Sequence, residues 1–274
     1  MALKLNLPNE YIRIDGLEIP FYKEFYDRNT EQMPKLIADG RVPMNVSQLM
    51  QRRLNTQNSD ADVKSSYLDN WFDTGDAVVY HSDGRVKIVL DSQNLRDITP
   101  DSQLRNGALV LTEDIYNSLQ GEEFKKGKLG KVNEWLSKEA VKSHPVWKVL
   151  ARDQGLLNDY ADYIFTEGKQ RFGNDEAMGI FLSSAQGNTP ELMAWYVGRL
   201  EDWSCAYGRS GLGGDLGRFV GIAPEALSVP SKGASNIKAY TMADLQAVDK
   251  TIKGLEGVLN PELLKPFLQL RKKL

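Results

Sequence analysis

Two short runs, Val78-Val79-Tyr80 and Val86-Lys87-Ile88-Val89-Leu90, constrain this chain more than any other feature. Both are β-branched or aromatic, which favours pleated backbone. Asp83-Gly84 lies between them and supplies a turn whose glycine takes positive φ at no steric cost. The spacing predicts a β-hairpin over 77–90, so the fold contains a sheet. A second hairpin is predicted near 11–22, where Tyr11-Ile12-Arg13-Ile14 and Leu17-Glu18-Ile19-Pro20-Phe21-Tyr22 alternate around Asp15-Gly16.

Helical periodicity fills much of the remainder. A helix is predicted from Thr30 to a stop at Asp39-Gly40, and another from Asn45 or Ser47 through Leu54, with Val46, Leu49, Met50 and Leu54 on one face. Residues 55–66 are polar and aperiodic and read as a loop. Gly107–Leu111 reads as a short strand, followed by a helix that Thr112 caps. Beyond about residue 130 the pattern reads as helical throughout. Helices are expected around Val132–Val141, Leu156–Phe165 and Met178–Leu182, and after Thr189-Pro190 with Leu192, Trp195, Tyr196 and Trp203. Two more are expected around Leu245–Leu255 and Leu263–Leu268. Trp135, Trp147, Trp195, Tyr196, Trp203 and Tyr207 are assigned to the core faces of these helices. The expected fold class is α+β. A small mixed region with β-hairpins spans 1–125, a larger, mainly helical region spans 126–274, and 121–131 is the linker.

Composition narrows the function classes. A chain of 274 residues with 41% hydrophobic and 26% charged content can bury a core without covalent staples. That matters because Cys205 is the single cysteine, so no internal disulfide can form. The lone thiol and the absence of a basic, then apolar, leader point to a cytoplasmic location. No stretch approaches the ~18 apolar residues of a membrane-spanning helix. A formal net charge of −3 gives no general attraction to nucleic acid or anionic membrane. With only His81 and His144 beside Cys205, no metal site is expected and no cofactor is indicated. Cys205 itself is placed on a helix as a packed small residue.

Trp71-Phe72-Asp73-Thr74-Gly75-Asp76 and the hairpin after it locally resemble a signature segment of the adenylate-forming enzymes. The resemblance implies that Asp76 binds the ribose hydroxyls of ATP. It covers about 20 residues, and the family's phosphate loop is absent upstream. The plain alternative is a turn at Gly75-Asp76 leading into a strand. Tyr207–Phe219 is the one glycine-rich segment. Arg209, Ser210, Gly211, Gly213, Gly214 and Arg218 make it a candidate anion site, because bare N–H groups beside arginines suit a phosphate, especially at a helix start near Asp215. The alternative is a packed turn after a helix. Residues 31–54 have helix-turn-helix character, with Asn45, Gln48, Gln51 and Arg52 positioned to face a groove, against an ordinary amphipathic pair. Asp73 with Asp76, Asp91 with Asp97, and Asp159 with Asp162 are carboxylate pairs of suitable spacing for acid–base work, though surface aspartates share such spacings widely.

The leading expectation is a soluble intracellular binding or interaction protein without metal or redox cofactor. The alternatives are an enzyme acting on a phosphate- or nucleotide-bearing ligand, and nucleic-acid binding through 31–54. The partner is open between a phosphate-bearing small molecule and a protein.

Overall fold

The computed structural model describes residues 3–8, 10–14, 17–125, 127–214 and 216–227. β1 (Tyr11–Ile14) and β2 (Leu17–Pro20) form the first hairpin, with Tyr11 opposite Pro20. β3 (Tyr22–Arg28) leads into α1 (Asn29–Ala38), which stops at Gly40 with φ 69°. β4 (Val42–Pro43) separates α1 from α2 (Val46–Asn55). Asn45 caps α2 in a full capping box with Gln48, satisfying two N–H groups that the first turn leaves without partners. α3 (Ala61–Leu68) follows within the stretch expected to be a loop. Its first turn is exposed and only Ser66, Tyr67 and Leu68 are buried, so its polar start hides the helix from a periodicity reading.

β5 (Phe72–Tyr80) and β6 (Val86–Val89) form the second hairpin, with Ala77 opposite Val89 and Tyr80 opposite Val86. Gly84 has φ 90°. The amide of Gly84 donates to the His81 carbonyl, and the amide of His81 to the Arg85 carbonyl. The short α4 (Gln93–Arg96) and the strands β7 (Leu104–Arg105) and β8 (Ala108–Val110) come next. α5 (Glu113–Ser118) is capped by Thr112, as expected. β9 (Glu122–Phe124) then pairs with β6, so part of the expected linker is a strand. α6 (Lys138–Ser143), α7 (Pro145–Ala151) and α8 (Gln154–Phe172) form the helical face, and Gly173 ends α8 in the left-handed region. The expected Val132–Val141 helix begins only at Lys138; Leu136 makes a bridge with Ala177 instead.

The expected helical C-terminal region is corrected by the strands that follow. β10 (Ile180–Leu182), β11 (Glu191–Val197), β12 (Ala206–Ser210) and β13 (Leu216–Ile222) occupy most of 180–222, before the single turn of α9 (Pro224–Leu227). Strands from both sides of residue 125 join one eight-stranded sheet of order β10-β12-β11-β5-β6-β9, with β8 on β11 and β7 on β8. β3, β13 and β4 make a second sheet, in which β13 pairs with β3 from Leu216↔Arg28 to Ile222↔Tyr22. The two helices expected over 245–268 lie outside the described residues.

The physical reason for the misreading is burial on both faces. In β11, Met193, Trp195 and Val197 enter one core with Val78, Tyr80 and the apolar faces of α2, α7 and α8. Leu192 and Ala194 enter a second core with Ala77, Val79, Met33, Leu36 and Tyr116. A strand buried on both faces is apolar without alternation, and a short apolar run cannot be told from a buried helix by period. Pro190 stands at the strand's edge, where its missing N–H costs nothing and its carbonyl accepts from the Leu111 amide.

One charged side chain ties these layers together. Arg53 on α2 is fully buried. Its Nε donates to the Tyr67 carbonyl at 2.8 Å, and its Nη1 to the Tyr160 hydroxyl at 2.8 Å. Its Nη2 donates to the carbonyls of Asn70 at 3.1 Å and Gly198 at 3.0 Å. Arg53→Met strips donors from three carbonyls and a phenol and is expected to lower unfolding free energy by at least about 3 kcal/mol in urea titrations. Gly84→Val forces a β-branched residue to positive φ and is expected to cost roughly 1–3 kcal/mol; a melting temperature within a degree of the parent would contradict this account of the turn.

Candidate functional site

The two larger sheets meet at Asp73. Phe72 to Tyr80 is buried along its whole length, so each polar group in β5 must find an internal partner. Thr74 donates its hydroxyl to the Trp195 carbonyl at 2.9 Å. Asp73 Oδ1 accepts from the Ser210 hydroxyl at 2.5 Å, and Oδ2 accepts from the Arg218 amide at 2.9 Å. Ser210 ends β12 of the eight-stranded sheet and Arg218 lies on β13 of the three-stranded sheet. Burial pushes the Asp73 carboxyl above its ordinary value, against the opposing pull of these two hydrogen bonds. Gly217 lacks a Cβ where one would collide with Asp73 and Asn29.

Over Asp73 and Ser210 opens a cleft of about 340 Å³, walled by Trp71, Tyr196, Asp202, Tyr207, Arg209 and Leu216. The rings of Tyr196 and Tyr207 stack with centroids 4.5 Å apart and planes 8° apart. Phe181 extends the stack, 5.1 Å beyond Tyr207. The Arg209 guanidinium lies 5.1 Å from the Tyr207 centroid and 5.6 Å from that of Phe181. It also lies near the Tyr196 phenol, which burial pushes up to about 12 against the pull of this cation. Leu216 is 56% exposed at the rim.

The residues expected to bind an anion are split by the structure. Arg209 is exposed and walls the cleft with Ser210 and Gly211. Arg218 is buried, its Nε 3.0 Å from Glu24 Oε1, and its guanidinium sits over the rings of Tyr26 and Trp71. Gly213 and Gly214 belong to a turn. That turn is pinned where Leu212 donates its amide to Gly107 and accepts from the Thr30 amide. The segment therefore leaves a strand and enters a strand; the expected preceding helix, and the helix start after it, are corrected.

Asp76 is enclosed. Its Oδ1 accepts from Arg152 Nη2 at 2.7 Å and from the Asp91 amide at 2.9 Å, while Oδ2 accepts from the Val46 amide at 2.9 Å. These are protein donors, one of them the first amide of α2, so the residue that the adenylate-forming resemblance makes a ribose ligand closes the joint between β5, α2 and Arg152. Asp91 joins the same cluster through Arg152 Nη1 at 2.6 Å. Asp73 and Asp76 thus serve two separate junctions. Asp162 pairs with Lys142 and Lys138 on the outer face of α8.

The helix-turn-helix expectation is also corrected. β4 intervenes between α1 and α2 and pairs with β13. Asn45 and Gln48 are spent on the capping box, Gln51 bonds Asn55, and Arg52 is buried over the Tyr22 and Tyr67 rings. His144 is held neutral: burial lowers its pKa, its Nε2–H donates to the Lys131 carbonyl and its Nδ1 accepts from the Val146 amide. His81 is paired with Asp83 and Glu113. Cys205 follows a left-handed turn at Trp203 and Ser204 rather than lying on a helix, and burial pushes its thiol up to about 12. Among the described residues no group of three or more His, Cys, Asp or Glu is placed to hold a metal ion.

Sequence reasoning assigned Tyr196 and Tyr207 to the core with Trp195. Trp195 is fully buried, whereas Tyr196 and Tyr207 are half-buried and form the cleft wall. Only strand alternation distinguishes Trp195 from Tyr196, and the apolar run of β11 masks that alternation.

The raised Asp73 carboxyl sets a pH dependence. A carboxyl whose folded pKa exceeds its unfolded value contributes stability that is present below the unfolded value and is lost as pH rises through the folded one. Asp73→Asn removes that loss while Asn still offers an acceptor to the Arg218 amide. The difference in stability between variant and parent, followed by urea unfolding from pH 3 upward, is expected to move in the variant's favour as pH rises. A pH-independent difference would count against the assignment.

No family model matches the chain, and no curated protein matches it. Among solved structures, it is similar to one described as "Accommodation of massive sequence variation in Nanoarchaeota by the C-type lectin fold". The TM-score is 0.57 at 20% identity, covering 73% of this chain and 97% of that one. At this identity the likeness speaks for architecture, and it agrees with the sheets described above: the chain is an α+β protein with a C-type lectin-like fold.

Proposed function

We propose that this is a binding protein that recognises a protein surface through the cleft over Asp73. The observation that carries the reading is the half-exposed aromatic stack of Tyr196, Tyr207 and Phe181, with the Arg209 guanidinium beside it. Tyr, Trp and Arg are the residues that most often carry binding energy at protein interfaces. Rings already stacked lose little freedom on contact, so little of the binding energy goes into ordering them. The segment Tyr207-Gly208-Arg209-Ser210-Gly211 combines rigid aromatic anchors with small polar residues, a mixture that also characterises antibody paratopes. A larger open groove between α2 and α8, about 540 Å³, is lined chiefly by polar side chains such as Gln51, Asn55, Asp159 and Thr166 and has no such stack.

The architecture separates support from contact. Asp73, Ser210 and the Arg218 amide hold the floor, while Arg209 and Leu216 point outward from it. The Nanoarchaeota protein's fold is described as accommodating massive sequence variation. The same separation here supports a reading in which wall residues change with the partner while the floor stays.

Tyr196→Ala with Leu216→Ser is expected to abolish capture of any protein partner that the parent retains reproducibly from cell extract, with a melting temperature within a few degrees of the parent. Full retention by the double variant would remove the cleft from the binding face. A glycan-array signal without any protein partner would replace the protein-surface reading with a sugar-binding one.

A further inference from the structure

Among the described residues, the charges around the cleft are not all paired. Asp202 is paired, its Oδ2 2.8 Å from Arg199 Nε. Asp73 has both oxygens occupied by protein donors, the Ser210 hydroxyl and the Arg218 amide. Arg218 is buried against Glu24. Arg209 alone among the charged residues of the wall has no carboxylate within 4.0 Å among the described residues; its guanidinium lies beside the aromatic row, 5.1 Å from the Tyr207 centroid and 5.6 Å from that of Phe181. It is nevertheless exposed.

Resting on the reading of this cleft as the binding face, we propose that the partner presents an acidic side chain, Asp or Glu, which Arg209 takes as a bidentate ligand. Three features support it. A guanidinium matches a carboxylate in geometry and forms two parallel, charge-assisted hydrogen bonds. Contact with the Tyr207 and Phe181 rings restricts the guanidinium before a partner arrives, so less side-chain entropy is lost than for a free arginine. The stacked rings exclude water on one side, which strengthens an ion pair relative to one fully in solvent. A partner cation is disfavoured, because the carboxylates nearest the opening are already bonded. Trp71 and Leu216 line the same opening and suit apolar residues flanking the acidic one.

The test uses the full chain and three capped octapeptides that share Gly, Ser and Tyr flanks and differ only at two central residues: Glu-Glu, Gln-Gln, or a single phosphoserine followed by Gly. Binding is read by fluorescence anisotropy at 50 mM and 500 mM salt. The Glu-Glu peptide is expected to bind about tenfold more tightly than Gln-Gln at low salt, as a charge-assisted bond over a neutral one allows. High salt should shrink that ratio. Arg209→Gln should abolish the discrimination without moving the melting temperature, and Arg209→Lys should restore part of it. Equal binding of Glu-Glu and Gln-Gln, discrimination that survives Arg209→Gln, or no binding of the Glu-Glu peptide at millimolar concentration overturns the inference. Binding of the phosphoserine peptide alone overturns it in favour of a phosphate. If the acidic preference fails while the Tyr196/Leu216 variant still loses its captured partner, the binding face stands and only its charge chemistry falls.

Discussion

A buried carboxylate without a cation is an expensive thing to keep, and the site is organised around one. Asp73 sits at the start of β5, inside the seam between the eight-stranded sheet and the three-stranded sheet. Desolvation raises the energy of its charged form, and the Ser210 hydroxyl and Arg218 amide recover part of that. Because one donor comes from β12 and the other from β13, satisfying the carboxylate sets the position of both strands. The turn between them is pinned in turn by Leu212 against Gly107 and Thr30. The cleft inherits its rigidity from this junction.

The same logic recurs at two other places. Asp76 binds Arg152 and the amides of Val46 and Asp91, and so joins the central strand to the start of α2. Arg53 does the reverse, spending a buried cation on neutral acceptors from the 67–70 turn, α8 and the end of β11. Each polar group costs several kcal/mol if left unpaired in the interior, so each admits few alternative packings. Two apolar cores, one on either face of the large sheet, supply the bulk of the driving force, and these polar junctions select the arrangement.

On that scaffold the cleft's wall is chemically separate from its support. Tyr196 and Tyr207 face each other across neighbouring strands β11 and β12, where the register pairs them directly. Cross-strand aromatic pairs stabilise the sheet as well as present a surface. Arg209 and Leu216 are exposed beside that pair.

Local chemistry in the chain settled the hairpins at 11–20 and 72–89, the stop of α1 at Gly40, the presence of α2, the Thr112 cap and the middle of α8, because each depends on neighbours a few residues away; that Asn45 is the α2 cap, the structure decides. It misassigned β10 to β12: β11 is buried on both faces and so loses the alternation that marks a strand, and its Leu192, Trp195 and Tyr196 fall by chance at helical spacing. At the site, Arg209, Ser210 and Gly211 were legible as a group of glycines beside a cation. The pairing of Ser210 with Asp73 from 137 residues away was not, nor was the diversion of Arg218 to Glu24 and of Asp76 to Arg152. The tertiary structure alone decides those roles, because whether a charged side chain meets a ligand or a neighbour depends on which strands are brought together, and strand pairing at long sequence separation leaves no local trace.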